Sequence, residues 1–295
     1  MSSFKKLPSD TLDSKYEAGI KVIMESEEDV SIFRDHWFPR YQHKLRFESA
    51  EDGNIGGGGC GAVRRKVDDA RARRLSAFGI VDRDTLLSDG KTDIFWETDD
   101  ANFSAAQPYG NFIHVLRRWE LENYLLRSEA FSAEIRRRDL RARPVIESQT
   151  LLSQHEDDLV DLTALTTFMM SQNEKSPNTG FGLDSSGQQL KDKIGTHLGS
   201  KLPGRGYSDL DSDVSKIFTF SEGHQAPDKR WERLTRILDG KKALNRICVR
   251  LGEEHDIKGF KQWEEMRGCL ANQIASLRLI DNELEVAVER FTQAG

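Results

Sequence analysis

Cysteine is scarce in this chain. Its three residues, Cys60, Cys248 and Cys269, have no paired spacing, which excludes a disulfide framework or a thiolate zinc cage and fits a reducing, cytoplasmic setting. Long apolar runs are missing as well. Nothing approaches the length of a bilayer span, and Met1-Ser2-Ser3-Phe4-Lys5-Lys6 has no apolar signal region, so neither a membrane nor an export route is expected. The seven histidines are scattered, and His155-Glu156-Asp157-Asp158 lacks the second histidine of a metalloprotease helix. There is no excess of positive charge: the formal net charge of −6 weighs mildly against a nucleic-acid partner. Such binding needs only a local basic patch, however. Basic runs exist at Arg64-Arg65-Lys66, Arg71 to Arg74, Arg117-Arg118 and Arg136 to Arg143, although each alone reads as a solvated helix face. No internal repeat or long low-complexity tract is present.

An apolar fraction of 37%, with 15 Phe and 5 Trp among 295 residues, supports a substantial core in one large or two modest domains. The clearest order lies in the first half. Residues 1–18 are a polar lead-in. Ile20-Lys21-Val22-Ile23-Met24 and Ala77-Phe78-Gly79-Ile80-Val81 are short apolar runs bounded by polar residues, as buried strands are. Lys44 to Ser49 alternates as a second strand, and Asn111 to Leu116 reads as a fourth. Between them, Glu25 to Phe38 is predicted helical, with Val30, Phe33 and Trp37 on one face and Pro39 at its end. A second helix is expected over Ala62 to Ser76, and another opens at Trp119. Residues 85–110 lack periodicity and read as an insertion or mobile loop.

Strands alternating with helices imply an α/β fold with a parallel sheet flanked by helices. After about residue 145 the pattern becomes mainly helical, in 146–172, Gln188 to Leu198 and 228–295. We therefore expect two domains, 1–145 and 146–295, the second helical and available for partner, dimer or substrate contacts.

The chemistry-bearing residues sit where strands end. In open α/β sheets, sites form beyond the carboxyl ends of the strands. Glu25 and Asp29 follow the first strand, one helical turn apart; Asp82 and Asp84 follow the third, on alternate positions of an extended backbone. Hard oxygen ligands gathered in this way suit Mg²⁺. Each pair also has an ordinary reading, as an acidic helix start or a cap. The glycine run Gly56 to Gly61 lacks both the phosphate-loop and dinucleotide spacings and reads as a flexible loop near substrate. Lys241, in Gly240-Lys241-Lys242, opens a helix over 241–251. Asp209, Asp211 and Asp213 lack the Gly and terminal Glu of a calcium loop and read as a polar loop.

Taken together, Val22-Ile23-Met24-Glu25-Ser26-Glu27-Glu28-Asp29, Phe78-Gly79-Ile80-Val81-Asp82-Arg83-Asp84, and His114 to Leu126 with its Glu122-Asn123-Tyr124-Leu125 resemble the TOPRIM domain of OLD-family nucleases. The resemblance is closer to the small TOPRIM effectors of PARIS anti-phage defence systems, with a weaker echo in Leu238-Asp239-Gly240-Lys241-Lys242. It covers roughly residues 19–130. One departure is Ser26, where many family members have Gly.

The resemblance implies a TOPRIM-like catalytic domain and a magnesium- or manganese-dependent nuclease cutting RNA, including tRNA, or DNA. It also implies an ABC-type ATPase partner that holds the effector until infection, and it is compatible with a homodimer. It casts Glu25, Asp29, Asp82 and Asp84 as metal ligands, Glu25 also as a general base, Glu122 as an outer ligand or a residue that only holds the helix start, and Lys241 as the charge-stabilising cation. Two rivals stand beside it. One is a topoisomerase- or primase-like enzyme, which in its topoisomerase form would need an attacking tyrosine from among Tyr16, Tyr41, Tyr109, Tyr124 and Tyr207. The other is a non-catalytic module stabilised by metal.

Overall fold

The structure, a computed structural model, describes residues 19–51, 59–138, 151–254, 256–257 and 259–294. The lead-in 1–18, Tyr16, the first half of the glycine run (56–58), Asp139 to Arg143 and the expected boundary at 145/146 lie outside the described residues.

Four parallel strands form one sheet: β1 (Ile20–Met24), β2 (Leu45–Ser49), β3 (Ala77–Val81) and β4 (Ile113–Val115), in the order β2-β1-β3-β4. Val22 pairs with Phe78 and Ile23 with Gly79; Gly79 in turn pairs with Ile113. β3 is buried along its whole length, as a continuous apolar run requires when both faces are covered. Helix α2 (Cys60–Ala72) packs on β3, and Gly79 permits the approach. A Cβ there would lie 2.7 Å from Val63 and 2.8 Å from Ile113.

The first connection departs from a single helix over 25–38. Ser26 caps a short α1 (Glu27–Ser31), its hydroxyl accepting the Asp29 N–H at 3.2 Å, and a π-helical turn (Ile32–Trp37) follows. The wider turn buries Ile32, Phe33 and Trp37 together. Ser26, the departure from the glycine of the resembled family, therefore serves as the N-cap.

Residues 85–110 are not an irregular insertion. They contain α3 (Thr85–Ser88), α4 (Thr92–Phe95) and α5 (Asp100–Ala106). Order there comes from Arg83, which is 2% exposed. Its guanidinium donates to the carbonyls of Phe95 (2.6 Å), Glu97 (2.7 Å) and Arg117 (2.7 Å) and faces the Phe103 ring. Burial lowers its pKa to about 9.

Beyond β4 come α6 (Glu122–Leu125), α7 (Ser128–Arg138), α8 (Glu156–Ser171), α9 (Gly187–Lys201), α10 (Asp211–Thr219), α11 (Pro227–Leu234), α12 (Gly240–Glu254), α13 (Trp263–Ser276) and α14 (Asn282–Gln293). Asp209, Asp211 and Asp213 lie on a 3-10 turn and the start of α10 rather than in a loop, and Asp213 accepts from Thr167. The C-terminal helices share the sheet's core: Phe291 stacks on Phe78 with ring centroids 4.7 Å apart, and the Trp37 indole donates to the Ala271 carbonyl. Among the described residues no helix is long and apolar enough to cross a membrane.

Candidate active site

The strand order makes β1 and β3 neighbours even though the chain leaves β1 toward β2 on the opposite side. This reversal is a topological switch point, where open α/β sheets leave a crevice at the carboxyl ends. Glu25 follows β1 and Asp82 follows β3, and Glu25 Oε1 accepts the Asp82 backbone N–H at 3.2 Å. Asp84 stands two residues further on, at the head of α3. Arg83 between them turns away into the anchor described above, which leaves both aspartates on the site side. Among the described residues nothing donates a hydrogen bond to either aspartate's side chain.

A second wall comes from the segment after β4. Glu120 is buried and accepts the Lys241 N–H at 2.5 Å and its Nζ at 2.6 Å. The contact requires α12 to begin against residues 120–123. Asn123 receives the Glu120 N–H and donates to the Leu238 carbonyl, while a Cβ on Gly240 would lie 2.3 Å from Asn123 Oδ1. Only glycine fits there. Lys242 points the other way, into a buried group with Asp239 and Thr166. Of the two adjacent lysines, Lys241 alone is turned to the acids.

A third wall holds Asp29 and Glu122, both gripped by Arg267 of α13. The guanidinium donates to Asp29 Oδ1 at 2.6 Å, and its Nε lies 3.2 Å from Glu122 Oε1. The second contact is an ion pair without hydrogen-bond alignment, so Glu122 Oε1 and Arg267 Nε are both buried and unbonded. Gly59, in the glycine run, sits beside Glu25: a Cβ there would be 3.8 Å from Oε2.

Six carboxylates thus face two cations, and their protonation reflects it. Burial pushes Asp84 up to about 8, with Glu120 and Glu25 adding repulsion, and pushes Glu122 up to about 7, with Glu120 adding. Asp82 is driven well above the usual carboxylate range by burial and by Glu25. Glu25 is raised by burial and by Asp29, against the lowering effect of the Asp82 N–H. Burial opposes the charge on Lys241, yet Glu120, Glu122 and Asp82 outweigh it and raise its pKa.

All six residues singled out in the sequence therefore fall in one cluster, in two subsets. Glu25, Asp82 and Asp84 form no ion pair with an arginine or lysine among the described residues, whereas Asp29 and Glu122 both pair with Arg267. Nor do any three described His, Cys, Asp or Glu side chains close around one point as a ready-made metal cage. The donor set of Glu25, Asp82 and Asp84 nonetheless fits a hard divalent cation: all-oxygen, mutually repelling and unbonded at both aspartates. Glu120 and Arg267 were missed in the sequence. Glu120 lay in view beside Glu122, and Arg267 had no local signal.

Three arginines of the basic runs pair within the fold. Arg117 pairs with Asp100, Asp281 and Glu283, Arg118 with Asp281, and Arg64 with Asp89. The described tyrosines point elsewhere too: Tyr124 donates to Glu283, Tyr109 to Asp89, Tyr207 to Asp161 and Tyr41 to Glu289. No family model matches the chain, and neither does any curated protein or solved structure.

Proposed function

We propose that this chain is a metal-dependent nuclease with a TOPRIM-like catalytic unit, hydrolysing phosphodiester bonds of RNA, tRNA included, or of DNA. The meeting of Glu25 and Asp82 at the β1/β3 switch point, with Asp84 beside them, carries this reading. Glu25, Asp82 and Asp84 would hold Mg²⁺ or Mn²⁺. When bound, such an ion polarises a phosphoryl oxygen and makes its water more acidic.

The remaining work belongs to the chain. Glu25, fixed by the Asp82 N–H, accepts the proton of the attacking water as the water oxygen joins phosphorus and the P–O bond to the leaving oxygen breaks. Lys241, held by Glu120 and partly open to solvent, offsets charge on the phosphoryl oxygens in the transition state. Tyrosines engaged elsewhere favour hydrolysis over a covalent tyrosyl intermediate. The resemblance to defence effectors extends the proposal to an ABC-type ATPase that restrains the enzyme until infection, and to a homodimer.

A second reading has an observation of its own. Arg267 and Lys241 already pair with three of the six carboxylates, as they would in a non-catalytic module with an acidic pocket. One experiment separates the two. Purified protein is incubated with tRNA, single-stranded DNA and plasmid, with and without Mg²⁺ or Mn²⁺. Cleavage that needs metal and disappears in Asp82→Asn supports the nuclease. A folded wild type inert on every substrate, with a melting temperature unmoved by either ion, rejects it.

A further inference from the structure

The acidic cluster contains more carboxylates than one ion needs, and the structure divides them. Asp29 comes from α1, Glu122 from α6, and the guanidinium between them from Arg267 on α13. Glu122 is buried, at 1% exposure, and Asp29 and Arg267 are mostly covered, at 13% and 11%. This pairing cannot be a loose surface contact. α13 is fixed in the core by Met266, Leu270 and Ile274 and by the Trp37 indole bonded to Ala271.

Glu122 Oε1 is the informative atom. It is buried, lacks a hydrogen bond, and faces Arg267 Nε at 3.2 Å without alignment. Nε serves there as a nearby positive charge more than as a directed donor. A planar guanidinium spreads its charge over a fork and can satisfy two carboxylates on different elements. A small divalent ion would have to draw both onto itself at about 2.1 Å. With Arg267 tethered there, a second divalent ion would also meet a like charge.

We infer that Asp29 and Glu122 are the ligands of Arg267 and not of a divalent ion. The cluster of Glu25, Asp82 and Asp84 then takes a single ion, and the Arg267 guanidinium stands as a fixed charge where a two-ion site would put the second. The inference rests on the metal-dependent reading above and specifies its stoichiometry.

The test is Mn²⁺ binding to the full chain, with free Mn²⁺ counted by electron paramagnetic resonance and affinity measured by calorimetry, so no activity is needed. Wild type is expected to bind one ion per chain. Asp84→Asn should weaken that binding by about 10- to 100-fold or more, as loss of a group at a metal site does. The near-isosteric Asp29→Asn and Glu122→Gln should leave the affinity unchanged. Arg267→Gln should gain a second, weaker ion, and adding Glu122→Gln to it should remove that ion.

Two ions on wild type, or a loss of about tenfold or more in Asp29→Asn or Glu122→Gln, would overturn the inference while leaving the metal reading in place. No Mn²⁺ bound by folded wild type would bring down both. If Arg267→Gln fails to fold, the two carboxamide variants decide the matter alone.

Discussion

Glu25 and Asp82 are 57 residues apart in sequence, yet a carboxylate oxygen of one accepts the backbone N–H of the other at 3.2 Å. That bond orients one acid and sets a second beside it, with Asp84 close by. Such a cluster is strained by its own charge whenever it is ionised without a counter-ion.

The strain has a definite pH dependence. Asp84 has a pKa of about 8 in the fold, and Glu122 about 7, against about 4 for carboxyls in an unfolded chain. Between those values the folded state keeps protons that the unfolded state has released. Their contribution to stability is therefore full below about pH 4 and lost as the pH rises through 7 and 8. His155 works in the other direction, since burial lowers it to about 4, but its effect is over by about pH 6.5. The metal-free protein should lose roughly 3 kcal/mol between about pH 6.5 and 8.5, at about 1.4 kcal/mol per pH unit for each proton held. Urea denaturation in chelator reads this out. The slope should shrink in Asp84→Asn, and a stability that rises across the window would contradict the assignment.

Arg83 bears on the fold more than on the chemistry. Its guanidinium has carbonyl partners and aromatic neighbours. Hydrogen bonds to charged groups contribute about 1.5–3 kcal/mol each, so Arg83→Ala should cost at least about 3 kcal/mol. Lysine should not rescue it, because an ammonium lacks the fork that reaches Phe95, Glu97 and Arg117 together. Hydrogen exchange in 85–106 should rise in the variant. Unchanged protection would mean that those helices are held by something else.

Gly240→Ala sets two effects of known size against each other. Alanine gains up to about 1 kcal/mol in helix propensity. Overpacking costs about 1–3 kcal/mol, and a Cβ at 2.3 Å from Asn123 Oδ1 is a severe case. We expect net destabilisation of about 1–2 kcal/mol from these terms. A variant as stable as wild type would show that α12 can slide without cost.

What the sequence made legible follows from how local each signal was. β1 and β3 stood out because a strand buried on both faces is a continuous apolar run, and Glu25, Asp82 and Asp84 were found because they sit at the ends of such runs. Three signals were hidden. The π-helical turn and the short helix before it present Val30, Phe33 and Trp37 at spacings that fit an ordinary helix equally well. The helices within 85–110 take their order from Arg83, whose neighbours in sequence, Asp82 and Asp84, suggested a metal site and nothing more. Arg267 reaches Asp29 across 238 residues, and no periodicity encodes a contact of that kind.

Lys241 offers the sharpest separation of structure from catalysis. Its ammonium neutralises Glu120, which is 4% exposed, while Lys241 itself is 44% exposed. Removing one partner of a buried pair costs about 3–5 kcal/mol. Solvent at the lysine lowers the expectation for Lys241→Met to roughly 2 kcal/mol. Adding Glu120→Gln should recover most of that loss, because the carboxylate left bare is then gone, and a double-mutant cycle by urea denaturation measures the coupling. If Lys241 also offsets charge on the phosphoryl group, the recovered double variant should stay folded and bind Mn²⁺ normally, yet cleave more slowly than Glu120→Gln alone by about 10²- to 10³-fold. A double variant that cleaves as fast as Glu120→Gln would reduce Lys241 to a structural counter-ion.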